Sequence, residues 1–328
     1  MLYNYNNYTN YKMKKNKALL FILPVLLLMI ACNNQGIKKT KSGLLYKIIS
    51  DGKGPTAKKG QFLKIRFVQT VHDSILYNSG DGIPVYPPVD SIGPNYSAGE
   101  IFLFLRKGDS ALVIQLVDSI QRKFGQQVQL PPFIKKKDKI ILAFKVLDIF
   151  SSLEAAREDQ AKEYNKLKDE RTKEIEDYIA SHKINAQKTS KGTFVEIKSA
   201  GDGPAVDSGK LVSVLYTGKL FPSGKVFEDH MTPPNNQPIK FVIGRRSVIA
   251  GWDDGLKLFK KGGKGTLYVP SFLAYDQQPG PGSKPFENLM FDVEIEDVTD
   301  APALPARPMP QINPMPKQDK GQAAPGKK

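Results

Sequence analysis

Short runs of alternating apolar and polar residues fill the second half of the chain and predict β-strands. They lie at 192–198, 211–215, 238–243, 266–269 and 289–295. Between the third and fourth runs, apolar residues recur at three- and four-residue steps over 247–259, which predicts one short helix. Strands that bury one face against a helix predict an α+β domain of roughly a hundred residues.

The same pattern occurs twice, because residues of the first half repeat in the second half at an offset of 149 positions. The repeated positions include Gly54 with Gly203, Gly60 with Gly209 and Phe67 with Tyr216. A period of this length is too long for a solenoid, so the sequence predicts a duplicated domain. We place the two copies at residues 41–150 and 188–300.

Between the copies, residues 151–187 contain no Gly or Pro and predict a long charged helix that links the two domains. Ser151 and Glu154 have the spacing of a capping box at its start. Its apolar stripe is thin and consists of Leu153, Tyr164, Leu167, Ile175, Tyr178 and Ile179. Two interpretations stay open. The helix is either a solvated spacer or a self-associating helix that makes a homodimer. Arg171 in the middle of the stripe argues against self-association.

The N-terminus has the pattern of an export signal. Four lysines precede a 13-residue apolar run at 18–30, which is too short to span a bilayer but typical of a signal peptide. Cys32 is the chain's only Cys, so no disulfide can form within the chain, and the Met-Ile-Ala before it resembles a bacterial lipobox. We predict a signal peptide at 1–31, a lipid on Cys32 and a tether over 32–40. The protein would then lie in the cell envelope, lipid-anchored at the outer membrane and facing the periplasm.

Charge and composition indicate which classes of partner the protein can bind. A net charge of +15 could indicate nucleic-acid binding, but the lysines are scattered and an exported protein meets little nucleic acid. We therefore exclude nucleic acid and predict a solvated surface. Residues 301–328 are rich in Pro, Ala, Gln and Lys and predict a disordered tail, because they carry too few large apolar residues to form a core.

Six short motifs follow one another in a fixed order in the second copy. They are Leu-Tyr-Thr-Gly at 215–218, Gly-Lys-Val-Phe-Glu at 224–228, Phe-Val-Ile-Gly at 241–244, Val-Ile-Ala-Gly-Trp at 248–252, Ala-Tyr at 274–275 and Phe-Asp-Val-Glu at 291–294. In this combination and order, residues 190–298 closely resemble the macrolide-binding FKBP family of peptidyl-prolyl isomerases. With its lipoprotein layout, the chain looks like an envelope isomerase of Gram-negative bacteria.

The resemblance implies two FKBP-like domains of α+β fold, each a curved antiparallel sheet of about five strands, with a helix packed on the sheet in the second. It implies isomerisation of proline-containing polypeptide clients and the folding of envelope proteins, without metal or cofactor. Rotation about an X–Pro bond sacrifices amide resonance against a barrier of roughly 18–20 kcal/mol. An apolar aromatic pocket favours the twisted amide, because conjugation is lost more easily away from water.

The resemblance also implies roles for individual residues. Trp252 would form the floor of the pocket beneath the proline ring. The implied catalytic residues are Tyr216, Phe227, Glu228, Trp252 and Tyr275. The implied substrate-binding residues are Ile239, Phe241, Val248, Ile249 and Phe291. The N–H of Ile249 and the hydroxyl of Tyr275 would bind substrate carbonyls, whereas His230 is expected to be exposed and to have no role.

Several positions depart from the family pattern. Glu228 stands where the family has Asp, Ile239 replaces an aromatic residue, Asp276 replaces a Gly, and Lys284 lies on a rim that is otherwise apolar. These changes affect the rim more than the floor, so we expect activity with an altered substrate preference and weaker macrolide binding. They also keep open an alternative function, a non-catalytic chaperone-like or protein-binding lipoprotein that retains the FKBP fold.

The first copy has lost more of the pattern. Phe67 replaces the Tyr, Tyr77 replaces the Phe, Asn78 replaces the acid, and the helix that carries the Trp has no counterpart. We therefore expect the first domain to lack the pocket floor and to be non-catalytic. It would instead bind clients, dimerise or position its neighbour.

Overall fold

The computed structural model describes residues 36–50, 54–72, 74–90, 95–125 and 130–302. The predicted signal peptide, Cys32 and almost all of the predicted tail lie outside the described residues. Within these ranges the chain forms two antiparallel sheets joined by one long helix, which confirms the predicted α+β class. No helix in this part of the chain combines the length and the apolar character needed to cross a membrane.

The first sheet consists of β1 (Lys38–Lys39), β2 (Leu45–Ile49), β3 (Phe62–Val71), β4 (Ser74–Asn78), β5 (Ser110–Leu116) and β6 (Lys139–Phe150). Its six strands lie in the order β1-β2-β5-β6-β3-β4. A 3-10 helix, Ala98–Phe104, lies between β4 and β5, and helix α1 (Val117–Phe124) follows β5. The expectation that nothing helical occupies the place before β5 is therefore wrong.

The second sheet consists of β7 (Ala186–Lys188), β8 (Phe194–Ser199), β9 (Lys210–Leu220), β10 (Lys225–Asp229), β11 (Ile239–Val242), β12 (Lys264–Val269) and β13 (Leu289–Asp300). The order is β10-β9-β13-β12-β8-β7, with β11 also paired to β9. Read from the other end, this is the order of the first sheet. The first sheet exceeds five strands by β1, which lies in the predicted tether, and the second exceeds five by β11 and by β7, most of which lies in the predicted linker.

A β-bulge occurs at the same place in both sheets. Between β3 and β6 the register shifts at Lys64 and Ile65, and between β9 and β13 it shifts at Ser213 and Val214. These positions are related by the offset of 149 residues found in the sequence. Because a bulge bends a strand and re-aims its side chains, the two copies share the detailed shape of the sheet as well as its strand order.

The long helix, α2 (Leu153–Ser181), begins and ends differently from the expectation. Ser152, rather than Ser151, is its N-cap, and the Ser152 hydroxyl accepts a hydrogen bond from the N–H of Ala155 at 3.2 Å. The helix ends at Ser181 and not at the end of the predicted linker, because the chain turns there into β7.

Helix α2 contacts both domains. In its first half, the Lys64 ammonium lies 2.7 Å from a carboxylate oxygen of Asp159, which also accepts a hydrogen bond from the Tyr86 hydroxyl at 2.6 Å. In its second half, Ile175 is fully buried against Phe194, Tyr268 and Met290. The C-terminal part of the apolar stripe, Ile175, Tyr178 and Ile179, therefore packs on the second domain instead of facing solvent. Self-association of this helix stays a prediction.

Candidate active site

The approach of a short helix to the second sheet sets the position of Trp252. Helix α3 (Ala250–Gly255) lies over β12, and a Cβ on Gly251 would overlap the side chain of Val269. Only glycine permits this close approach. Trp252 follows directly and is 3% exposed. The apolar spacing over 247–259 thus corresponds to α3 and a 3-10 turn, Leu256–Leu258.

Two residues beside Trp252 fix the start of this helix. Ile249 is the N-cap and has an extended backbone, so its own N–H lies outside the helical hydrogen-bond ladder and remains available at the pocket wall. A carboxylate oxygen of Asp253 accepts a hydrogen bond from the N–H of Gly244 at 2.8 Å, which fastens α3 to the loop after β11. The helix and the pocket wall are therefore held together.

Three aromatic rings surround the indole of Trp252. The ring of Tyr216 lies 4.9 Å away at 89°, and that of Phe291 lies 5.3 Å away at 87°. Phe241 packs on another side with a centroid distance of 5.7 Å. Near-perpendicular rings place positive edges against negative faces, which adds roughly 0.5–1.5 kcal/mol per pair beyond burial. The indole Nε1 is buried and has no hydrogen-bond partner among the described residues.

Phe227 extends this cluster toward the solvent. Its ring lies 6.0 Å from that of Phe291 and perpendicular to it. The ring fits because Gly218 on the neighbouring strand has no side chain, and a Cβ there would lie 2.6 Å from the Phe227 ring. The motifs Leu-Tyr-Thr-Gly and Gly-Lys-Val-Phe-Glu thus form one paired unit, in which the glycine of the first makes room for the phenylalanine of the second.

Hydroxyl groups stand at the edge of the aromatic cluster. Burial, and a hydrogen bond from its hydroxyl to Glu228, raise the pKa of Tyr216 well above the usual range. Burial and the negative charge of Glu228 also raise the pKa of Tyr275, although 43% of this residue is exposed. Both tyrosines therefore keep their protons at physiological pH and can act as hydrogen-bond donors.

His230 also belongs to this cluster, and its expected exposure is wrong because the residue is partly buried. Its ring stacks on that of Tyr216 with a centroid distance of 4.9 Å, and its Nε2 lies 3.2 Å from a carboxylate oxygen of Glu228. Its Nδ1 lies 3.1 Å from the carbonyl oxygen of Gln237. The available signal was the two-residue spacing from Glu228, because strand residues i and i+2 face the same side.

The remaining predicted site residues belong to the same cluster. Ile239, Val248 and Ile249 are partly buried against the core that contains Trp252. The structure therefore brings the predicted catalytic and substrate-binding residues together around one indole. Among the residues of the described ranges, no group of three or more His, Cys, Asp or Glu side chains is placed to hold a metal ion.

Asp276, one of the departures from the family pattern, lies on the rim of the pocket. This residue has φ of 53°, a left-handed conformation that glycine adopts freely and that Asp tolerates better than most residues. Its carboxylate lies 3.2 Å from the hydroxyl of Tyr164 on α2. Asp276 thus adopts a backbone conformation that suits glycine and makes a hydrogen bond to the linking helix.

Comparison with known proteins agrees with this arrangement. The sequence profile of the family described as FKBP-type peptidyl-prolyl cis-trans isomerase matches residues 203–296. The FKBP-type peptidyl-prolyl cis-trans isomerase FkpA of Escherichia coli (strain K12) is 34% identical over 194 residues, which are 59% of this chain and 67% of the relative. The chain belongs to the FKBP-type peptidyl-prolyl cis-trans isomerase family. It is accordingly a peptidyl-prolyl isomerase. The alternative function, a protein that keeps the FKBP fold without catalysis, therefore does not apply to the chain as a whole.

Other relatives match shorter parts. A probable FKBP-type peptidyl-prolyl cis-trans isomerase of Haemophilus influenzae is 42% identical over 111 residues, 34% of this chain and 44% of the relative. Among solved structures, the crystal structure of FkpA from Escherichia coli is similar with 35% identity and a TM-score of 0.35, and covers 46% of this chain and 66% of that chain.

Proposed function

We propose that the second domain alone carries the isomerase activity of this chain. The observation that carries the proposal is the enclosure of Trp252 by Tyr216, Phe241 and Phe291. The family profile, which matches residues 203–296, supports the same assignment. In the first domain, Phe67 stands at the position of Tyr216, and the chain's only Trp is Trp252 of the second domain.

In the proposed mechanism the proline ring of the client rests on the face of Trp252 between the aromatic walls. Water is excluded there, so the twisted amide loses less hydrogen bonding than it would in solution. The N–H of Ile249 and the hydroxyl of Tyr275 hold the substrate carbonyls on either side of the proline. Glu228 accepts the hydroxyl proton of Tyr216 in a hydrogen bond and orients that ring. No bond to the enzyme forms, and the gain comes from positioning and desolvation.

Replacing Phe227 with alanine is the direct test of this assignment. The change opens the wall that Phe227 shares with Phe291 and admits water, so we expect kcat/KM to fall roughly tenfold. The measurement is isomerisation of an X–Pro tetrapeptide by the full chain, in an assay without a coupling protease.

The matched control is Val226→Ala, the preceding strand residue, which is 48% exposed. This control is expected to keep the rate of the unaltered chain. Equal rates for the Phe227→Ala and Val226→Ala variants would place catalysis elsewhere.

The proposed location is the cell envelope, with clients among the proline-containing polypeptides that fold there. The lysines and the 13-residue apolar run before Cys32 support export and lipidation, and the lipid would anchor the chain at the outer membrane, facing the periplasm. Cys32→Ser is expected to move the protein from the membrane fraction to the soluble fraction. Asn33→Ser, the adjacent control, is expected to stay in the membrane fraction. Retention of Cys32→Ser in the membrane would contradict anchoring through this residue.

A further inference from the structure

The first domain contains an apolar cavity of about 260 Å³. All of its lining side chains are apolar; those that matter for the argument are Ile65, Phe67, Val85, Ala98, Phe102 and Phe144. Cavities that engineered proteins keep dry and fill with benzene measure roughly 150 Å³, whereas pockets for drug-sized ligands begin near 300 Å³. The cavity therefore has room for one apolar side chain.

This cavity lies at the place of the active site of the second domain. Ile65 bridges to Val85 as Val214 pairs with Ile239 in the second sheet. Phe67 stands at the position of Tyr216 in the sequence repeat. The two pockets are thus built from equivalent strands.

Two phenylalanine rings line the cavity where the second domain has its indole-centred pocket. Phe102 lies 6.2 Å from Phe144 at 83°. Phe144 pairs with Phe67 as Val293 pairs with Tyr216, so these rings are not the counterparts of Trp252 and Phe291. The first domain thus keeps an apolar pocket that is lined by a phenylalanine of a 3-10 helix and contains no indole.

The polar groups of the active site have not persisted with it. Phe67 has no hydroxyl, and the side chain of Asn78 accepts a hydrogen bond from the N–H of Gly80 at 2.8 Å instead of holding a tyrosine. Tyr77 stacks on Phe67 with a centroid distance of 4.9 Å and is 39% exposed, so the apolar surface continues to the mouth of the cavity. Such a site can bury an apolar group but lacks donors that would orient a peptide bond.

Exposed aromatic residues on the first domain favour a polypeptide as the ligand. In the described residues, the phenylalanines that remain exposed, Phe104, Phe124 and Phe133, all lie in the first domain. Exposed apolar groups beyond the cavity can contact further residues of an extended chain. We propose that this cavity binds one apolar side chain of an unfolded polypeptide and holds it without isomerising it.

The proposal gives the chain two sites for one client. Binding at the first domain raises the effective concentration of nearby prolines at the second, because both sites belong to one molecule. The effect on catalysis rests on the proposed function of the second domain, whereas binding of segments without proline does not and is tested separately.

Filling the cavity tests the proposal. The probe is a fluorescently labelled, extended peptide that contains leucine and no proline, and its binding to the full chain is followed by fluorescence anisotropy. Ala98→Phe places a ring inside the cavity, so we expect the probe to bind roughly tenfold more weakly. Ala161→Phe, the matched control, adds the same ring at an exposed site on α2 and is expected to leave the Kd unchanged.

A second, smaller substitution tests the same cavity in case the Ala98→Phe variant does not fold. Phe67→Tyr adds only a hydroxyl to the cavity wall and is expected to weaken probe binding severalfold, because it brings a polar group into a lining that is otherwise apolar. Unchanged affinity in both variants would overturn the proposal. It would equally be overturned if Trp252→Ala abolished probe binding, or if sedimentation showed that Ala98→Phe only separates two copies of the chain.

Discussion

Trp252→Ala is expected to lower kcat/KM for an X–Pro tetrapeptide roughly a hundredfold, the largest loss of activity from a single change in this chain. The indole is the surface on which the proposed proline ring rests, and three aromatic rings lean on it. Without it, water enters the pocket and the surrounding rings lose their mutual support. A loss of roughly 3 kcal/mol in transition-state stabilisation corresponds to this factor.

Phe259→Leu separates this effect from general loss of packing. Phe259 is 1% exposed and belongs to the same core cluster as Trp252, but it is not part of the aromatic group around the indole. We expect this variant to be less stable and yet to keep kcat/KM per folded molecule. If both variants lost activity in proportion to their folded fraction, the pocket would have no special role.

Ile175→Ala is expected to lower the free energy of unfolding of the second domain by about 2–5 kcal/mol. Ile175 is fully buried where α2 meets Phe194, Tyr268 and Met290, and the truncation leaves a cavity in that contact. Because Trp252 is the chain's only Trp and lies in the second domain, its fluorescence during denaturant unfolding reports on this domain.

Leu153→Ala is the control for the helix. It removes a similar side chain from the other end of α2, where the residue is 38% exposed, and is expected to change the free energy of unfolding by less than about 0.5 kcal/mol. Equal effects of the two substitutions would mean that α2 does not stabilise the second domain through Ile175.

The sequence predicted those parts of the site that short motifs encode. Trp252 follows Gly251, and Phe227 packs on Gly218; at both glycines a side chain would clash with a neighbour. The motifs therefore encode both the aromatic residue and the close approach of the backbone beside it. His230 was missed because a loop rich in Pro and Asn indicates exposure, whereas backbone pairing continues into it and stacks the ring on Tyr216. Contacts between distant segments leave no local pattern.

The pocket of the first domain shows a second limit. The motif around Trp252 is absent there, so no local sequence signal indicated the pocket that the structure shows. Phe102 lines this pocket from a 3-10 helix that has a different spacing. The packing of α2 is a similar case, because the stripe of Ile175 and Tyr178 is compatible with solvent, a second copy or the neighbouring sheet. Only the three-dimensional arrangement decides among these.

The hydrogen bond between Tyr164 and Asp276 means that part of the active-site entrance is held from outside the second sheet. The ring of Tyr164 also lies 6.3 Å from that of Phe286, on the same entrance loop. A fragment that begins at residue 188 would contain every aromatic residue of the pocket but neither of these contacts. Rates measured on such a fragment would describe a looser entrance than the one clients meet on the full chain.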